Sequence, residues 1–171
     1  GGIRFNGVGV LTLLSDQTVK SVLGSSSYSN IQLGSYVLSV GSSNTSGHYG
    51  GVISGEGSLV KQGTGILTLT GLNTYTGSTT VNQGALAIDG NGRLGQGQLI
   101  LDGGTTFSSL SMRVLVSNAI LLRGDSTINA AGAIDILGDI SGAYSLTKTG
   151  DKNLTLLGRN SYAETFITTG K

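Results

Sequence analysis

The chain has 171 residues, 30 of them Gly and none Pro or Cys, with a formal net charge of +1 and 11% charged residues. These figures exclude a disulfide scaffold and a thiolate metal site, and the low charge is unlike that of a disordered segment. Lys and Arg occur singly, without a basic run or interleaved aromatics, which argues against nucleic-acid binding; no apolar stretch nears the ~18 residues of a membrane helix.

At average usage roughly eight or nine Pro would be expected. Their absence points to backbone donors that nearly all have ladder partners, because Pro interrupts a central strand. The chain opens on Gly1-Gly2-Ile3-Arg4-Phe5, within a strand-like pattern and without a leader, and reads as cut from something longer. Residues 36–40 read as a short strand. His48, the only histidine, lies in Ser46-Gly47-His48-Tyr49-Gly50 and reads as an exposed loop residue, since one His makes no typical zinc site.

Residues 53–84 hold the clearest repeat unit. Leu67 and Leu69 alternate with Thr68 and Thr70, giving one apolar and one hydroxyl face. Gly63, Gly65 and Gly71 bracket that strand where tight corners are needed. Lys61 shares parity with inward Leu59, yet an unpaired ammonium cannot be buried; the expectation is a corner that carries Lys61 outward, with Lys148 behaving alike. Leu86 and Ile88 continue the alternation. Gly90-Asn91-Gly92-Arg93-Leu94-Gly95 has the letters of a dinucleotide fingerprint, but no helix follows, and it reads as a turn.

Further short strands are predicted over residues 99–102, 112–116, 119–122, 126–129 and 133–137, separated by a few turn residues. Residues 140–162 then repeat residues 53–75 without a gap, Ile140 taking the place of Ile53. The copies share Ile, Ser, Gly, Ser, Leu, Lys, Gly, Leu-Thr-Leu, Gly, Asn and Tyr in order. Residues 7–13 match residues 63–69 as a truncated third copy.

No helical period separates the strands, so βαβ units are excluded. An antiparallel sandwich or barrel and a coiling β-helix remain, and long-period self-similarity without Pro favours the coil. Coils of roughly 20–25 residues give about seven or eight of them, or a rod of about 35 Å at ~4.8 Å per stacked strand.

The pattern in residues 55–84 runs G-x-G-x-L-x-K-x-G-x-G-x-L-x-L-x-G-x-N-x-Y-x-G-x-T-x-V-x-x-G. It is met at Gly55, Gly57, Leu59, Lys61, Gly63, Gly65, Leu67, Leu69, Gly71, Asn73, Tyr75, Gly77, Thr79, Val81 and Gly84. It resembles the passenger-associated transport repeat of autotransporters. The copy within residues 140–170 departs from it near Lys152 and Glu164 and reads as decayed. The resemblance implies a right-handed parallel β-helix, a single-stranded solenoid forming one segment over residues 1–171. It also implies type V secretion to the cell surface or the medium, through an outer-membrane barrel C-terminal to this segment, and a structural or export-assisting stalk that is not an enzyme and carries no cofactor.

Four further features carry competing readings. Arg123-Gly124-Asp125 is an integrin-type tripeptide between two predicted strands, and so either a host-receptor loop or a coil corner with two solvated charges. Asp102, Asp125 and Lys148 are evenly spaced along the chain, and would stack along one edge if that spacing were the coil length. Such a stack is either a set of turn residues or the acid–base line of a polysaccharide lyase. Asn73 and Asn160 are expected to bond turn backbone. Tyr75 and Tyr162 are expected to cover a corner rather than to bind sugar.

Overall fold

In the computed structural model, which describes residues 1–110 and 113–170, every strand pairing is parallel and no helix is present. The chain winds through three faces per coil. Face one stacks nine strands: Ile3–Arg4, Val22–Gly24, Gly47–Tyr49, Ile66–Leu69, Ala85–Ile88, Thr106–Ser109, Ser126–Ala130, Leu146–Thr149 and Thr165–Ile167. Face three stacks seven: Gln17–Val19, Val37–Val40, Ser58–Lys61, Thr79–Val81, Leu99–Leu101, Ile120–Leu122 and Ile140–Ser141. Face two lies between them in chain order and is split. Gly9–Thr12, Ser29–Gln32 and Val52–Ser54 form one part; Val114–Val116, Ile134–Ile136 and Leu154–Leu156 form the other.

The result is an all-β parallel solenoid of about eight coils. Coil length is uneven along face one. It is short where Ile3 lies beside Val22 and longest where Leu23 lies beside His48. Later coils are close to the short end of that range, as the pairs Ile66 with Ala85, Ala85 with Thr106 and Thr106 with Thr127 show.

Alternation explains the core. With a side-chain period of two, every second residue of each strand points inward, and these are mostly Leu, Ile and Val. Leu59, Leu67, Leu69, Leu86, Leu99, Ile120 and Ile134 have almost no exposed surface. The intervening Thr, Ser and Asn face outward. Within this segment Ile3 and Leu11 of the first coil and Leu154 and Leu156 of the last are half-buried, and Ile167 is exposed.

The expected strands over residues 99–102, 119–122, 126–129 and 133–137 are present with ends moved by a residue or two. The strand expected over residues 112–116 begins at Val114; Met112 lies outside the described residues. His48 differs from expectation in sitting on a strand, although it is exposed. It stands on the outer surface of face one between Leu23 and Thr68.

Candidate functional site

The repeat over residues 55–84 makes about one and a half coils, and its distinctive residues gather at the corners. The turn after Ser58–Lys61 passes through Gly63 at φ 68°, where a Cβ would fall 2.1 Å from the carbonyl oxygen of Gly41 in the coil before. Only glycine fits. Gly57, Gly71 and Gly77 lie equally close to backbone: a Cβ on each would sit 1.9, 1.8 and 2.3 Å from the carbonyl oxygens of Tyr36, Gly51 and Gly57. These positions let one coil's corner rest directly on the last.

Lys61 does the opposite of what was expected. It is 1% exposed and points inward, occupying a column otherwise made of Val40, Val81, Leu101 and Leu122. Its Nζ donates to the carbonyl oxygens of Gln62 at 2.7 Å, Gly63 at 2.8 Å and Gln83 at 3.2 Å. Gln62 and Gly63 belong to its own turn, while Gln83 belongs to the turn one coil on. An ammonium has three donors, and the corner supplies three acceptors. The expectation failed because it took the buried ammonium to be unpaired, whereas the carbonyls of the turns serve as its partners. Burial pushes the Lys61 ammonium down to about 8, so it remains mostly charged at neutral pH.

Lys148 repeats this arrangement. It is 2% exposed, stacked between Ile128 and Ile167, and its Nζ donates to Gly150 at 2.5 Å and to Thr169, one coil on, at 2.8 Å.

Asn73 replaces a strand. Face two has none at residues 72–76, and the Asn73 carboxamide spans the gap. Its Oδ1 accepts from the Ile53 amide at 2.8 Å in the coil before, and its Nδ2 donates to the Arg93 carbonyl at 2.5 Å in the coil after. Asn160 accepts from the Ile140 amide at 3.0 Å in the same way. Tyr75, expected to cover a corner, is fully buried within the column, its hydroxyl 2.5 Å from Thr79 Oγ1. Space for its ring comes from Gly95 one coil later, where a Cβ would lie 2.6 Å from the ring. Tyr162 makes a similar contact one repeat position earlier, its hydroxyl 2.6 Å from Thr165 Oγ1.

Arg123-Gly124-Asp125 is a corner between Ile120–Leu122 and Ser126–Ala130. Arg123 Nε donates to Asp102 Oδ1 at 2.8 Å, Asp125 Oδ1 accepts from the Ser145 amide at 2.8 Å, and a Cβ on Gly124 would meet Gly103 at 2.3 Å. Both charged side chains are thus engaged by neighbouring coils. The line of Asp102, Asp125 and Lys148 does not form. The coils here are shorter than the spacing of those residues, so Asp102 sits beside Arg123, Asp125 beside Ser145, and Lys148 is inside. Residues 90–95 are a turn with Gly90 at φ 102° and Gly92 at φ 68°. Asp16 and Asp139, like Asp125, accept from main-chain amides one coil on, those of Val37 and Arg159. Among the described residues no group of three or more His, Asp or Glu could hold a metal ion.

Parity with Leu59 pointed Lys61 inward and the burial argument overruled it, whereas the coil-to-coil bridging of Asn73 and the buried Tyr75 were not legible from periodicity. The fixed Lys, Asn and Tyr in both copies were the only signal, and it named the residues without their partners.

Known proteins have similar sequences. The passenger-associated-transport-repeat family matches residues 59–88 and 146–171. Over 108 residues, 62% of the chain, the sequence is 38% identical to the Adhesin BmaC autotransporter of Brucella suis, of whose length this is 3%. Over 78 residues, 46% of the chain, it is 40% identical to the Extracellular serine protease of Serratia marcescens, covering 6% of that protein. The chain thus spans a few per cent of the curated relatives it matches, and no solved structure matches it. Two passenger-associated transport repeats on a parallel β-solenoid are what this chain shares with autotransporter passengers, proteins displayed at the cell surface or secreted through the outer membrane.

Proposed function

We propose that the segment is a non-enzymatic stalk whose stepwise folding assists export and which carries a displayed region of a longer protein. The observation behind this reading is the unbroken inner column. Each coil lays its Leu, Ile and Val on those of the coil before, for example Leu59 on Leu38 and Leu86 on Leu67. A coil added to a folded template buries apolar surface while closing a loop of only ~20 residues, a small entropic penalty. Folding on the outer side would therefore oppose backsliding through a C-terminal barrel, the partner that the passenger relation implies. The corner carboxylates Asp16, Asp125 and Asp139 bond backbone amides, a structural use consistent with a segment that does no chemistry.

The test is made in the full-length parent protein. Leu67→Asp with Leu69→Asp would break one coil. The expected outcome is slowed or arrested appearance of the passenger outside the cell, with the barrel inserted at normal level. Arrival at the wild-type rate would end the export reading.

A second reading is adhesion. The Brucella suis relative is named an adhesin, and Arg123 and Asp125 are exposed on one corner. Receptor binding there would have to release Arg123 from Asp102 and Asp125 from the Ser145 amide. Asp125→Glu keeps the charge and alters its reach, so unchanged host-cell attachment by that variant would remove the tripeptide from consideration.

A further inference from the structure

The geometry points to Lys61 and Lys148 as register pins: each buried ammonium fixes the alignment of its strand against the next coil, a choice the apolar column leaves open.

The column has little power to choose. In a parallel stack, a slip of two residues preserves which side chains point inward. For the strand Ser58–Lys61 such a slip would place Leu59 where Lys61 now stands, against Val40 and Val81 instead of Leu38 and Thr79. Aliphatic would still meet aliphatic or a methyl-bearing neighbour. The corners would absorb the change, since coils differing in length by more than such a slip already coexist in this molecule, Ile3 pairing with Val22 but Leu23 with His48.

Lys61 removes that freedom. Its three acceptors occur only at the corner, two in the Gly63 turn and one in the Gln83 turn. A two-residue slip in either direction draws Nζ away from one of those turns, leaving part of a buried charge without acceptors, which is strongly unfavourable. Both turns contain a left-handed glycine, Gly63 at φ 68° and Gly84 at φ 68°. The second copy has the same pair, Gly150 at φ 80° and Gly170 at φ 79°, around Lys148.

The two copies exclude a local explanation. Lys61 ends a strand of face three and Lys148 lies in a strand of face one, with different neighbours above and below. The cradle nevertheless forms at both. It travels with the repeat and not with the face. A buried polar group used to specify alignment rather than to add stability has precedent in coiled coils, where one buried Asn sets register.

The chain contains no cysteine, so disulfide trapping reads register directly. Val60 and Thr80 are adjacent outward partners, as are Thr80 and Ile100. Val60→Cys with Thr80→Cys should cross-link in the native register. Val60→Cys with Ser78→Cys, or with Asn82→Cys, reports a slip of two in either direction, because these Cα atoms are natively about 8 Å apart and beyond disulfide reach.

With Lys61→Met, the native pair is expected to cross-link less completely, and one slipped pair to rise severalfold over its yield with Lys61. The melting temperature should not fall, since replacing a buried ion by an isosteric apolar side chain is commonly neutral or stabilising. Native cross-linking alone, at the wild-type yield, would overturn the proposal. So would loss of all cross-links together, which would make Lys61 a support of the coil instead of a selector of its alignment. Lys148→Met applies the same criteria near the end of the solenoid. There Thr147→Cys with Phe166→Cys reads the native register, and Thr147→Cys with Glu164→Cys or Thr168→Cys reads a slip. Local loss of structure at that end leaves the remaining coils folded, so an effect on overall folding is separated from one on register.

Discussion

The two copies of the repeat have similar sequences and different surroundings. In the first, Leu59 lies on face three, Leu67 on face one, and Asn73 bridges face two. In the second, Leu146 lies on face one, Leu154 on face two, and Asn160 bridges to Ile140 of face three. Four coils carry Leu59 through Thr79, Leu99 and Ile120 to Ile140, and the second repeat's Leu is one face further on, at Leu146. The offset between the copies is therefore four coils and one face. A unit that folds alike on different faces contains its own corner chemistry and depends on the host solenoid only for a neighbour to rest on.

Burial follows the neighbour. Leu67, Leu69, Asn73 and Tyr75 have coils on both sides and are almost fully covered. Their counterparts Leu154, Leu156 and Tyr162 are only half-buried, and Asn160 is exposed. Lys148 is as buried as Lys61 because the strand Thr165–Ile167 still covers it.

Truncating matched leucines challenges this contrast most directly. In the 171-residue segment taken alone, Leu69→Ala empties a fully covered site and should lower the stability of its coils by about 3 kcal/mol, while Leu156→Ala should cost about 1 kcal/mol. Denaturation monitored by circular dichroism measures both, and equal losses would contradict burial by the next coil as the cause.

Asn73→Ala removes bonds to two coils and leaves the Ile53 amide and the Arg93 carbonyl without that partner. A loss of about 2 kcal/mol is expected, against about 0.5 kcal/mol for exposed Asn160→Ala. Hydrogen exchange at the Ile53 and Ile140 amides locates the effect: Ile53 should lose far more protection than Ile140.

A weaker dependence, on pH, bears on the inward lysine. The Lys61 value in the folded chain, about 8, lies below that of free lysine, 10.5. Below pH 8 the group is protonated in both states. From pH 8 to about 10.5 the unfolded chain holds the proton that the folded chain has released, so this group's contribution to stability rises with pH. Between pH 7 and 9 the wild type should gain about 1 kcal/mol relative to Lys61→Met. A flat or falling difference would show that burial does not disfavour the charge.

The solenoid itself could be read from the chain. Alternation at Leu67 and Leu69, the absence of Pro, closely spaced turn glycines and a long internal repeat leave room for few other folds, because each is a local or strictly periodic constraint. The repeat residues could be named on the same grounds. What those residues touch could not. Coil length is the sum of three strands and three corners, so an error of two or three residues per coil misplaced Asp102, Asp125 and Lys148 relative to one another. The set of acceptors that holds Lys61 inside is completed by a carbonyl from the turn at Gln83, and the burial of Tyr75 rests on the bare backbone of Gly95. Both partners come from the following coil. They are set by how the coils stack, which no single strand's pattern encodes.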